Sequence, residues 1–157
     1  MGDYRFTGSL SAPVPDGWVV KESLTVLAPD GLANVIASSE PVEQRLTTQQ
    51  YADAQGEDLR NQFPKFKELS YGPATMLGGR ACFVRRFEWS PPDREDDPVT
   101  QIQVYHVAAG RGYALTATAR SVRFEAVERI LISVLERVLI SEENPEIKQA
   151  EAARKAP

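Results

Sequence analysis

The chain contains one histidine, His106, and one cysteine, Cys82. A nucleophilic triad, a histidine-based acid–base pair or a zinc site would each have to draw on that single imidazole. Tyr105 and Val107 flank it in an alternating stretch, where a structural or edge-exposed histidine is expected. Cys82 has no sequence neighbour that would stabilise a thiolate, so it is expected in the core. A lone cysteine makes no intrachain disulfide and suits a reducing compartment. Asp93, Glu95, Asp96 and Asp97 form a carboxylate cluster. They lack the spacing and the glycine of a calcium loop and read as a solvated hairpin tip. Arg80, Arg85 and Arg86 have the chemistry to hold an anion, but charged strand residues facing water account for them more simply. Gly78, Gly79, Gly110 and Gly112 fall at turns between strands, not between a strand and a helix, so they imply no phosphate cradle. No catalytic residue, metal ligand or cofactor is assigned, and a non-enzymatic protein is expected.

Two amides stand out instead. Gln55 lies in the stretch from Thr47 to Phe66, which reads as a long amphipathic helix. Tyr51, Gln55, Leu59 and Phe63 recur every fourth residue and share one face. Gly56 follows, where alanine would favour the helix by ~1 kcal/mol. Either this helix is built to take something against it, or Gln55 bonds nearby backbone and Gly56 eases ordinary packing. The second amide is Gln103. In the strand from Val99, the set Val99, Gln101, Gln103 and Tyr105 lies on one face and Ile102, Val104 and His106 on the other. The second face reads as core. The first mixes apolar groups, which supply contact area, with amides that satisfy polar groups on a partner. Its alternative is a face covered by the long helix.

The elements that position these residues follow from local pattern. Residues 4–13 read as one short strand, ended by Pro13 and Pro15. Leu24–Leu27 and Ala33–Ser38 form a hairpin, with Leu24 and Val26 on one side. Thr47 and Gln50 match a capping box, and Pro64 ends the helix near Phe63. Lys67–Tyr71 and Ala74–Leu77 read as strand broken at Gly72-Pro73. Arg80–Trp89 places Ala81, Phe83, Phe87 and Trp89 on one side, with Arg85 breaking that set. Val99–Ala108 and Tyr113–Ala119 complete a meander. Ser121 is expected to cap a second helix, whose Val127, Ile130, Leu131, Val134, Leu135 and Val138 form a core stripe. The predicted fold is α+β: a single antiparallel sheet of about six strands with two main helices.

The 157 residues suit one domain, assigned to 1–141, with a charged tail over 142–157. A net charge of −4 argues against a nucleic-acid partner. No run of ~18 apolar residues occurs, so no membrane insertion is expected. The first residues lack the apolar core of a signal peptide, and the cytoplasm is the expected location.

Five pieces, taken in order and spacing over roughly residues 4 to 140, resemble the Eag chaperones. They are YRFTGSLSAPVPDGWVVKESLTVLAP, ANVIASSE, YADAQGEDLRNQFPKFK, GGRACFVRRFEW and QIQVYHV. That group belongs to the PsbP-like family that also contains DcrB. The resemblance implies a PsbP-like fold with a curved antiparallel sheet, often a homodimer, and a chaperone function. Such proteins bind N-terminal transmembrane segments of type VI secretion effectors in the cytoplasm, shield them and help load the effector on its spike protein. It implies a client groove lined by Leu24, Val26, Val35, Leu59, Phe63, Val99, Tyr105 and Leu115, with Gln55 and Gln103 as polar contacts. The chain departs from the family in the long acidic loop 90–98 and the extended tail after Ser141. The alternatives are a DcrB-like envelope-associated protein and a binder of a small apolar ligand.

Overall fold

The structure, a computed structural model, describes residues 4–7 and 10–141. Six strands form one antiparallel sheet. In chain order they are β3 (Glu22–Leu27), β4 (Ala33–Pro41), β5 (Lys67–Met76), β6 (Arg80–Trp89), β7 (Val99–Ala108) and β8 (Arg111–Arg120). Their order across the sheet is β3-β4-β8-β7-β6-β5. The predicted α+β architecture, one antiparallel sheet with two main helices, holds. Where one strand was expected over residues 4–13, β1 (Tyr4–Thr7) and β2 (Leu10–Pro13) pair with each other as a separate ribbon. The proposed tail, 142–157, lies outside the described residues.

Helix α1 (Thr48–Gln62) starts at the expected capping box: Thr47 and Gln50 exchange side-chain bonds of 3.0 and 3.1 Å. Helix α2 (Ser121–Arg137) does not start as expected. Arg120 holds its N-cap position without a side-chain bond, and the Ser121 hydroxyl pairs with the Thr100 hydroxyl at 2.8 Å. Strand β5 runs unbroken through Gly72-Pro73. It is an edge strand, where proline's missing N–H leaves no ladder bond unmade.

The helices lie on opposite faces of the sheet. Beneath α2 the sheet is aliphatic: Val35 of β4, Ile102 and Val104 of β7, and Leu115, Ala117 and Ala119 of β8 pack with Phe124, Leu131 and Leu135. The far end of α2 is tied to the β5–β6 turn, where Gly78 donates to the Glu136 carbonyl at 2.7 Å. Cys82 sits in this layer, as expected, and burial pushes its thiol pKa up.

Candidate functional site

The face under α1 has a different chemistry. Cross-strand register places Tyr71, Arg85, Gln103, Thr116, Ile36 and Thr25 in one row, running from β5 to β3. Helix α1 packs on β6 and β7 and so covers the first half of that row. Among the described residues, no helix lies over the second half, on β8, β4 and β3.

Arg85 organises the covered half. The expectation that it faces water is wrong: its side chain is 1% exposed. Its Nε donates to Glu68 at 2.8 Å, and its Nη1 donates to the Ala52 carbonyl of α1 at 3.1 Å and to the Tyr105 hydroxyl at 2.8 Å. The guanidinium carbon lies 4.2 Å from the centre of the Tyr71 ring, a cation–π contact. Gly56 lets it fit there. A Cβ on Gly56 would fall 2.3 Å from Nη2 and 2.5 Å from the guanidinium carbon. Helix α1 therefore does take something against its glycine, and that something is its own chain's arginine. Burial works against the guanidinium charge, but Tyr105 and Glu68 outweigh it and hold the arginine pKa above its ordinary value. Arg85's break in the alternating strand pattern was the sequence signal for this site.

The polar chain continues outward. The Tyr105 hydroxyl accepts from Arg85 and donates to the Gln103 amide oxygen. Tyr71 donates to Asp53 of α1 at 2.6 Å, and Tyr51 donates to Glu40 at 3.3 Å. Burial is the main cause that pushes the phenol pKa values of Tyr71 and Tyr105 up to about 12. Burial, reinforced by Glu40, raises Tyr51 further. Gln101 bridges the sheet, accepting from Trp89 at 2.8 Å and donating to Thr118 at 2.7 Å.

The helix sits on Tyr51, Ala52, Gly56 and Leu59, so its buried stripe is turned from the expected 51, 55, 59, 63 set. Phe63 is the C-cap and stacks on Trp89 at 4.0 Å. Asp53 and Arg60 reach toward β5, bonding Tyr71 and pairing with Glu68. Tyr51 lies on the other flank, against Gly112 of β8. Gln55, one turn on from Tyr51, shares that flank and is half-buried beside the open half of the face.

The ten groove residues expected from the sequence do not share one surface. Gln55, Leu59, Phe63, Val99, Gln103 and Tyr105 lie on the α1 side. Leu24, Val26, Val35 and Leu115 point to the α2 side, as their register shows. Tyr105 and Leu115 are fully buried. In place of those four, the open half presents Thr25, Leu27, Ile36, Thr116 and Thr118, with Ile36 39% and Leu27 61% exposed.

The remaining sequence candidates are placed simply. His106 faces the α2 side, its Nδ1 2.9 Å from the Ala81 carbonyl oxygen. Asp97 bonds Arg120 at 2.8 Å, whereas Asp93, Glu95 and Asp96 are exposed on the loop. Arg86 pairs with Glu128 of α2, and Arg80 donates to the Ile140 carbonyl at 3.0 Å. Among the described residues, no helix is long and apolar enough to cross a membrane.

No family model and no curated protein matches the chain. Solved structures do. PA94 of Pseudomonas aeruginosa, a protein of unknown function, aligns over 88% of this chain and 96% of its own, with a TM-score of 0.64 and 16% identity. LpqN of Mycobacterium tuberculosis, involved in cell envelope biogenesis, covers 79% and 78%, at a TM-score of 0.51 and 21% identity. The PsbP of the cyanobacterium Synechocystis covers 83% and 89%, at 0.50 and 8%. At these identities the likeness is one of fold, and the fold this chain shares with them is PsbP-like.

Proposed function

We propose that the chain is a non-enzymatic chaperone or adaptor. It holds the N-terminal transmembrane segments of a type VI secretion effector against its sheet in the cytoplasm, working as a homodimer, and so helps the effector reach its spike protein. One observation carries this reading: among the described residues no helix covers half of the α1-side face, which presents exposed Ile36 and Leu27 among hydroxyls, bordered by Gln55 and Gln103. The resemblance over residues 4 to 140 supplies the client class. A transmembrane helix in water exposes apolar surface whose burial is worth roughly 25 cal/mol per Å². Aliphatic groups supply that shelter without reading a sequence, and hydroxyls and amides answer the small polar groups with which membrane helices meet one another.

The test is co-expression with the apolar N-terminal region of a type VI effector, then affinity purification without detergent. A soluble stoichiometric complex is expected, lost in Ile36→Asp and weakened in Gln55→Ala. A well-folded chain beside an aggregated effector fragment would overturn the reading. Gln103 is a poorer probe, because its amide oxygen is already engaged by Tyr105.

A second reading rests on a different place. Ala28, Pro29, Leu32, Ala33, Ala119, Val127 and Ile130 line a notch of about 300 Å³ between the β3–β4 turn and α2, with Asp30 and Arg123 at 3.4 Å beside it. It suits a small apolar ligand. A small apolar molecule extracted from the purified chain and identified by mass spectrometry would favour this reading over the first.

A further inference from the structure

The two edges of the sheet are built differently. Edge strand β5 carries Pro73, a bulge between Glu68 and Ser70, and charges at Lys67 and Glu68, all devices that discourage pairing with another strand. Edge strand β3 has none of these after Glu22. Its sequence is Glu-Ser-Leu-Thr-Val-Leu, and its last five residues are exposed. The Ala28 amide donates to the Ala33 carbonyl at 2.9 Å, which sets the phase of the β3–β4 ladder. Leu24 and Val26 therefore bond β4, while Ser23, Thr25 and Leu27 turn their backbone N–H and C=O groups outward.

We infer that this edge pairs with a second copy of the chain, β3 against β3 and antiparallel about a two-fold axis at Thr25. In that register Thr25 meets Thr25 and Ser23 meets Leu27 of the other copy, each as a hydrogen-bonded pair. Leu24 meets Val26 in the closer, non-bonded pairs, so two exposed apolar side chains cover each other twice on the α2 side. The neighbouring register, centred on Leu24, sets the Glu22 carboxylate opposite Val26 and is disfavoured. The two sheets become one of twelve strands, counting the six of each copy, and an edge that invites aggregation is closed by symmetry. The inference rests on the homodimer in the proposed function, to which it gives a surface. It does not rest on the client, and its test uses none.

The test is the full chain alone, by light scattering or sedimentation over a range of concentrations. A species of twice the 17.4 kDa chain mass is expected, in equilibrium with monomer. Thr25→Cys is expected to give a covalent dimer on mild oxidation, since an opposed pair at about 5.5 Å between Cα atoms is within disulfide reach. Thr25→Pro removes only an outward N–H, so a monomer with unchanged circular dichroism is expected. A chain that stays monomeric, a dimer that survives Thr25→Pro, or a disulfide formed by Leu24→Cys in place of Thr25→Cys would each overturn the pairing. If the dimer forms but the client assay fails, the chaperone reading falls and the edge pairing stands.

Discussion

Helices α1 and α2 sit on the two faces of one sheet but are held by different physics. Under α2 the contacts are aliphatic and broad, made by Phe124, Leu131 and Leu135 against Val35, Ile102, Val104 and Leu115. Such contacts scale with area and tolerate exchange of one hydrocarbon for another. Under α1 the contacts are aromatic rings around one buried guanidinium, and that guanidinium touches the helix at a glycine. This attachment is directional. It fixes α1 over β6 and β7 and leaves the other half of the face open. The open half-face therefore depends on where Arg85 anchors the helix, and much less on how much surface the helix buries.

The largest effect is expected at the anchor. Arg85→Ala leaves Glu68, the Ala52 carbonyl and the Tyr105 hydroxyl without their partner, and should cost about 3–5 kcal/mol in denaturant unfolding. Leu135→Ala, the matching change under α2, should cost about 2–5 kcal/mol. The comparison is sharpened by hydrogen exchange: Arg85→Ala should strip protection from α1 first, whereas Leu135→Ala should lower it across the sheet.

Gly56→Ala comes next and has a sign that propensity alone gets wrong. Alanine favours the helix by about 1 kcal/mol, but its Cβ must displace the guanidinium, so a net loss of about 1–2 kcal/mol is expected. With Arg85→Ala already present, the same change should become neutral or stabilising. A double-mutant cycle reads that reversal directly, and additive effects would break the proposed contact.

Alkaline pH should separate the faces more gently. The raised phenol pKa values mean that the fold favours the neutral tyrosines over the unfolded chain, where they ionise near 10.0. That stability is fully present below pH 10 and is lost as pH rises through about 12. The melting temperature should fall across this window, and less so in Tyr105→Phe. The smallest effect is at Gln55→Ala, expected to stay within about 0.5 kcal/mol because the amide is half-buried at the flank of α1.

Much of the fold was legible in the sequence because it depends on local periodicity. The six sheet strands, the capping box at Thr47 and most of the α2 stripe follow from spacing within one element; Ile130, expected in that stripe, is instead 67% exposed, because α2 buries a narrower face through Phe124, Leu131 and Leu135. Alternation within each strand was also legible: Leu24 and Val26 do share a side, as do Val99, Gln103 and Tyr105. Which of those sides meets which helix was not, because that depends on register between strands distant in sequence. The groove implied by the resemblance accordingly combined residues from both faces. Arg85 and Gly56 were each conspicuous, one as a charge in an apolar set and the other as a glycine inside a helix. Nothing local joins a strand residue to a helix residue 29 positions earlier, and only their contact in three dimensions explains both.

If the open half of the α1-side face binds the client, residues on it must touch the effector while residues on α2 do not. The most direct measurement places a photo-crosslinking residue at Ile36, on that half-face, and separately at Val122, 74% exposed on α2. Each variant is co-expressed with the apolar N-terminal region of a type VI effector. Crosslinks to the effector are expected from position 36 and none from position 122. Crosslinks from 122 with none from 36 would contradict binding at that half-face.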